Sequence, residues 1–350
     1  MRPSMTTSEL RPNQPLASWL VKPLRWLFIG LRFLCRLLLV LWPTLAILWS
    51  NLPWAWLRLV LAVAFFAFGI WVFWRSRRPA MYLLFAGLFL VVLVWFTSIR
   101  PTHYRPWRPE VAVMPRAYID GDHVRITNVR NFDYRSKDDF TVRYEEREVS
   151  LSHLTSMDFF VSYWVPGPVA HTFVSFNFDN APPICISIET RPEVGEGFSP
   201  LASLFKQFEL IYIVADERDL VGVRTNHRGE DVYLYHVRTS PENARALFLI
   251  YLKRINELAD QPEWYNLLSN SCTINIVRYA RAVGKPANFD IRFWLNGYSD
   301  RGLYRAGFLS SAPPFDELRR LSHINAAAQA AGTAPDFSER IRADLPPMQP

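Results

Sequence analysis

Cys272 has the strongest local claim to chemistry. It follows Ser269, Asn270 and Ser271, residue types that start helices. A helix N-terminus offers free N–H groups and the positive end of a dipole. Both favour the thiolate, the nucleophilic form of cysteine. A lone cysteine is also a common small core residue, so position alone leaves that reading open. A thiolate nucleophile needs a base, and the base needs an orienting group. Of the seven histidines, His171 is best placed, at the start of a strand just after the loop Val165-Pro166-Gly167-Pro168. If residues 170–178 and 184–190 pair as a hairpin, Glu189 falls nearly opposite His171, on a face shared with Cys185 and Ser187. Three plain alternatives stand beside this. His171 can be a strand-end residue bonded to backbone, Glu189 can lie on a solvated face, and Cys185 and Cys272 can form a disulfide in an oxidising compartment. The disulfide would defeat the catalytic reading. His227 and His236 lack metal-ligand spacing with any cysteine or carboxylate, so no metal is expected. There is no GxGxxG and no phosphate loop, and no cofactor is expected.

The elements around these residues follow from hydrophobic period. Residues 117–129 read as a hairpin turning at Asp120-Gly121-Asp122, and residues 157–164 as a buried strand. Residues 170–178 alternate, with His171, Phe173, Ser175 and Asn177 on one face and Thr172, Val174, Phe176 and Phe178 on the other. A turn over 179–183 leads to a second alternating run, 184–189. Residues 210–214 and 232–236 read as two more strands, and Asp216-Glu217-Arg218-Asp219 as a charged loop. Ser240-Pro241-Glu242 is a helix start: cap, proline at the first helical position, then an acid near the positive end. Ala244, Leu247, Phe248, Tyr251, Leu252, Ile255 and Leu258 then form one apolar stripe. A second helix begins near Ser269–Ser271. Strands followed by packed helices predict an α+β domain.

The first third has a different character. Residues 1–100 carry 11 basic residues and one acid, Glu9, a net of +10, while the rest carries 28 basic and 31 acidic residues, a net of −3. All the excess positive charge therefore lies in the most apolar region. That is the pattern of a membrane protein with basic loops and not of a nucleic-acid-binding face. With 50% apolar and 15% aromatic residues, 14 glycines and 3 cysteines, the composition also excludes disorder, collagen and a disulfide scaffold. Three runs suit bilayer-spanning helices, expected near 31–51, 59–74 and 81–99. Arginines cluster before the first run and at Arg75–Arg78, which puts the N-terminus and that loop in the cytoplasm and residues 101–350 on the other side. The N-terminus reads as an anchor and not as a removed signal peptide. The expected organisation is a cytoplasmic N-terminus (1–30), a three-helix anchor (31–100), a Pro-rich linker (101–116), a thiol domain (117–325) and a partly ordered tail (326–350).

The run His171-Thr-Phe-Val-Ser-Phe-Asn-Phe-Asp, then Ile186-Ser-Ile-Glu-Thr-Arg, Phe208-Glu-Leu-Ile-Tyr and Ala215-Asp-Glu-Arg-Asp-Leu, resembles the Lnb N-terminal periplasmic domain family. So do Tyr265-Asn-Leu-Leu-Ser-Asn-Ser-Cys-Thr, Leu295-Asn-Gly-Tyr-Ser-Asp-Arg and, upstream, Asn128-Val-Arg-Asn-Phe-Asp-Tyr-Arg. The resemblance covers about residues 117–340 and implies a circularly permuted relative of papain-like NlpC/P60 enzymes, the histidine preceding the cysteine. The family's namesake transfers an acyl chain to the N-terminus of bacterial lipoproteins by means of a thiol. The family's histidine maps onto His171 and its cysteine onto Cys272, with Glu189 as the polar residue of the next strand. Where the family often has Asn-Cys-Thr-Thr, this chain reads Ser271-Cys272-Thr273-Ile274. The three-span region is no part of the namesake's motifs. The resemblance implies an inner-membrane, thiol-dependent acyltransferase acting on a lipid or lipoprotein through a cysteine thioester. A cysteine peptidase or amidase on cell-wall peptide is the alternative, and a non-catalytic membrane-anchored binding protein is another. No nucleic-acid partner is expected, and the oligomeric state is not legible.

Overall fold

The computed structural model describes residues 17–283, 295–310 and 312–346. The chain divides into two compact units, residues 1–99 and 100–350. The first is three helices, α1 (Ala17–Leu48), α2 (Ala55–Trp74) and α3 (Pro79–Ser98). Segments Pro23–Leu48, Ala55–Trp74 and Pro79–Ser98 are long and apolar enough to cross a membrane. The first span begins earlier than expected, at Pro23 and not near residue 31, because α1 continues through Arg25, Arg32 and Arg36. Gly69 on α2 is a close-approach position. A Cβ there would lie 2.8 Å from the Val40 side chain of α1 and 3.1 Å from Phe85 of α3. Small residues let helices meet where no hydrophobic effect drives them together.

The second unit is α+β, as expected. Its sheet holds eight strands: β1 (Arg116–Asp120), β2 (His123–Arg130), β3 (Tyr144–Ser150), β4 (Leu154–Tyr163), β5 (His171–Phe178), β6 (Ile184–Arg191), β7 (Glu209–Ala215) and β8 (Asp231–His236). Their order is β1-β2-β7-β6-β5-β4-β8, with β3 also paired to β2. Every pairing is antiparallel except the contact of β2 with β7 at Arg130 and Ala215. Gly121, at φ +58°, makes the first hairpin turn where the sequence puts it.

Both faces of this sheet are covered. On one lies α5 (Pro241–Asp260), whose seven expected stripe residues are all buried and whose cap is the expected Ser240, its Oγ accepting the Asn243 N–H. Phe248 meets Phe176 of β5 at a ring distance of 4.9 Å. On the other face Phe160, Phe173, Cys185, Ile211 and Ile213 form a core with Ala328 and Ala331 of α7 (Asn325–Ala331), Phe337 of α8 (Phe337–Arg340) and Ile341 just after it.

Two expectations change here. Residues 216–219 are not a surface loop: Glu217–Leu220 form a short helix, α4, with Glu217 and Asp219 fully buried. Asp219 takes both Nε and Nη2 of Arg130, plus the Phe132 N–H at 2.7 Å. The tail is packed and not partly ordered over residues 326–346. Arg342 forks between two buried carboxylates, donating to Asp158 at 2.8 Å and to Glu217 at 2.6 Å. A buried carboxylate must find a cation, and the tail supplies it. The linker is also packed on this unit: Trp107 bridges to Glu193 and lies under the Arg191 guanidinium at 4.4 Å.

Replacing Arg342 by Met removes the cation and keeps the stem. Two buried carboxylates then lose their main partner, which costs about 3–5 kcal/mol. Urea unfolding of the full chain measures it; a loss below about 1 kcal/mol would show that this fork does not fasten the tail.

Candidate active site

Cys272 is the first residue of α6 (Cys272–Ala282), and Ser271 holds the N-cap position with extended backbone, φ −106° and ψ 172°. The Ser271 side chain makes no capping bond, so the helix start lies where expected without the expected cap. α6 is pinned to β5 by Thr273, whose hydroxyl is 2.8 Å from that of Thr172, the neighbour of His171. The β5–β6 register pairs Phe173 with Ser187, a count that puts Glu189 across from His171. The structure thus brings Cys272, His171 and Glu189 to one end of the central hairpin.

The link between histidine and carboxylate is indirect. His171 Nε2 lies 2.6 Å from Ser187 Oγ, and Ser187 donates to Glu189 Oε1 at 2.8 Å, while the direct His171–Glu189 separation is 3.7 Å. With Nε2 engaged by Ser187, Nδ1 is the ring nitrogen left for the thiol. Glu189 is held in turn by Arg224 at 2.7 Å. Burial alone would raise the Glu189 pKa; the Arg224 guanidinium, and then His171, hold it well below the usual carboxylate range. Arg224 lies in a single π-helical turn, Val223–Arg228, that ends at Gly229 in left-handed backbone, φ 65°. π turns recur at functional sites because they re-aim a side chain. Here the guanidinium caps the Leu220 carbonyl at 2.6 Å and lies 5.0 Å over the Phe173 ring. Phe173 stacks on the His171 ring at 5.8 Å.

Cys272 is 2% exposed. Burial pushes a thiol pKa up, yet the hydrogen bond and charge of His171, with the backbone and hydroxyl of Thr172, bring Cys272 down to about 6. Cys185 is the contrast: burial in the core pushes it well above its ordinary value. Both are free thiols, and the disulfide alternative does not hold in this structure.

Four further groups complete the site. Asn296 grips the backbone of Ala170, accepting its N–H at 2.9 Å and donating to its carbonyl, and its Nδ2 lies 3.8 Å from Cys272 Sγ. Gly297 permits this: a Cβ there would be 2.3 Å from the Gly167 carbonyl oxygen. The Tyr265 hydroxyl oxygen meets the backbone N–H of Cys272. Ser187 relays His171 to Glu189. Of these, Ser187 shared the face read for Glu189, and Asn296 and Tyr265 stand inside motifs of the resemblance. Arg224 carried no local signal. The pocket in front of the thiol holds about 450 Å3. Its wall mixes apolar Trp164, Val169, Ile188, Phe198 and Leu267 with charged Arg108, Lys137, Arg228, Glu110 and Asp138.

Asn296→Ala frees the Ala170 backbone and Ser187→Ala breaks the relay. Each is expected to slow iodoacetamide alkylation of Cys272 at pH 6.5 by about threefold, the fall in thiolate fraction when a thiol pKa of about 6 rises by one unit. Rates and pH profiles equal to wild type would show that neither group sets the thiol.

The model of the Lnb N-terminal periplasmic domain matches residues 140–303, the stretch that holds His171, Glu189 and Cys272. This bears out the resemblance over a narrower range than residues 117–340. No curated protein and no solved structure matches the chain.

Proposed function

We propose that this integral membrane protein, with its Lnb-type periplasmic domain, is a thiol acyltransferase that works through a Cys272 thioester. The observation that carries the reading is the Cys272 thiol brought to about 6 beside His171, in a pocket whose wall is part apolar and part charged. A low-pKa thiol next to an oriented base is the requirement for covalent catalysis.

The steps follow from the geometry. His171 takes the thiol proton on Nδ1, and the Nε2–H to Ser187 and Glu189 steadies the imidazolium. The thiolate adds to the carbonyl carbon of an acyl ester. The donors to the oxyanion are the Asn296 Nδ2–H not used by the Ala170 carbonyl and the Cys272 N–H, which exchanges the Tyr265 hydroxyl for the oxyanion. Collapse breaks the ester bond, the leaving alkoxide takes the proton from His171, and a thioester remains. An amine then loses its proton to His171 and attacks the thioester. The amide forms and the thiolate leaves. Lipid or lipoprotein is the substrate class that suits the anchor and the apolar wall. Water in place of the amine would make the protein a hydrolase. The charged wall favours a second reading, an amidase on cell-wall peptide, with the same three residues in the same roles. The basic N-terminus and the Arg75–Arg78 loop support a cytoplasmic N-terminus and a periplasmic domain.

Incubating the full chain with phospholipid and reading its intact mass tests this. Wild type is expected to gain an acyl group that hydroxylamine removes, and Cys272→Ser and His171→Ala are expected to gain none that is hydroxylamine-sensitive. Loss of a wall-peptide substrate's amide with no lipid adduct would favour the amidase, and neither product would contradict catalysis. An alkaline phosphatase fused after Pro350 is expected to be active; an inactive fusion of full length would reverse the topology.

A further inference from the structure

Soluble domains rarely expose a large contiguous apolar patch. Among the described residues of the second unit, thirteen large apolar or aromatic side chains are exposed, and nine of them lie in four loops: 164–169, 194–201, 267–268 and 295–298. These loops adjoin. Trp164 stacks on Phe198 at 6.0 Å, the Gly297 N–H donates to the Pro168 carbonyl at 2.9 Å, and the Leu267 N–H donates to the Ser203 carbonyl at 3.2 Å. Each loop also contributes to the pocket in front of Cys272, through Trp164, Val169, Phe198, Leu267 and Asn296. The exposed apolar surface is therefore a ring around the mouth of the pocket. Val165 is 69% exposed, Val194 67%, Leu268 54% and Leu201 47%.

We infer that this rim docks in the surface of the lipid bilayer, its aromatic and branched side chains seated at the headgroup–acyl boundary. The occupant is argued from the chain itself. Candidate span α3 ends at Ser98, and only nine residues later Trp107 is bridged to Glu193, next to Val194. The Val194 N–H donates to the Pro106 carbonyl at 2.8 Å, so linker and rim are fastened together. Nine residues span at most about 30 Å. The 194–201 side of the rim is thus tethered within that distance of the membrane surface. Trp and Phe favour this boundary, and apolar loops bury there much as an amphipathic helix does. Basic and acidic groups around the pocket are mixed, with Arg108, Lys137 and Arg228 set against Glu110, Asp138 and Glu230. The apolar term is therefore expected to dominate, and docking is expected on a zwitterionic bilayer as on an anionic one. The inference stands on exposure and tether length and does not require that Cys272 be catalytic.

The test is the depth of spin labels in the full chain, reconstituted in phosphatidylcholine nanodiscs, in a Cys35→Ser, Cys272→Ser background. Labels replace Val165, Val194 or Leu201 on the rim, and Ile119 as an exposed control beside the 120–123 turn, which bonds to Ser152 at the end of the sheet opposite His171. Rim labels are expected to be reached by oxygen and shielded from a water-soluble nickel chelate, with Ile119 accessible to the chelate. Adding anionic lipid is expected to leave the pattern unchanged. Chelate access at all three rim positions overturns the inference. So does shielding seen only in nanodiscs holding two copies, because a second chain would then be the cover. Because Cys272 is absent from these proteins, loss of docking and loss of thiol chemistry are read separately.

Discussion

A buried thiol ionises only where hydrogen-bond donors and a charge-bearing neighbour repay the lost water. In this protein the neighbour is His171, which lowers the Cys272 pKa, and much of the second unit is arranged to keep its ring oriented. The imidazole is bonded on Nε2 by Ser187, Ser187 by Glu189, and Glu189 by Arg224. The Arg224 guanidinium is itself fixed by a helix carbonyl and an aromatic face. Each member would be costly alone in a buried position; together they form a run of alternating charge and hydrogen bonds. Asn296 adds a second fastening from the other side, through the backbone of the residue before His171.

The sheet makes this arrangement rigid. β5 carries His171 at one end and Asn177 at the other. Asn177 donates to Asp158 at 3.0 Å, and Asp158 receives the tail through Arg342. Because helices cover both faces, the central strands are apolar on both sides, and side chains that leave the pleat near the ends have a packed platform behind them. The site therefore sits where the platform ends and the loops begin, the usual place for groups that must be both precise and reachable.

Period and capping residues made much of this legible in the sequence. The hairpin at Gly121, the β5–β6 pair and the α5 stripe all appear as read, since amphipathic period and a proline-marked cap are local signals. The place of Cys272 at a helix start and of Glu189 across from His171 was readable from spacing, whereas the roles proposed for them rest on the resemblance. Arg224 was not, because it reaches the site from a π turn 35 residues after Glu189 in the chain, and nothing local marks that turn. The 216–219 run was read as surface because charge density usually means solvent; only the arrival of Arg130 and Arg342 from distant segments makes its burial possible. The same long-range pairing explains the tail, where an Ala/Pro-rich composition hid one decisive arginine.

The most direct test of the central claim is the ultraviolet absorbance of the thiolate near 240 nm, followed against pH as the difference between wild type and Cys272→Ser. If His171 and its supports hold Cys272 as a thiolate, the difference signal persists down to a midpoint of about pH 6. A signal that appears only near the free-thiol value of about 8.5 would mean that the thiol and imidazole are neutral neighbours, and the account of the site would fail.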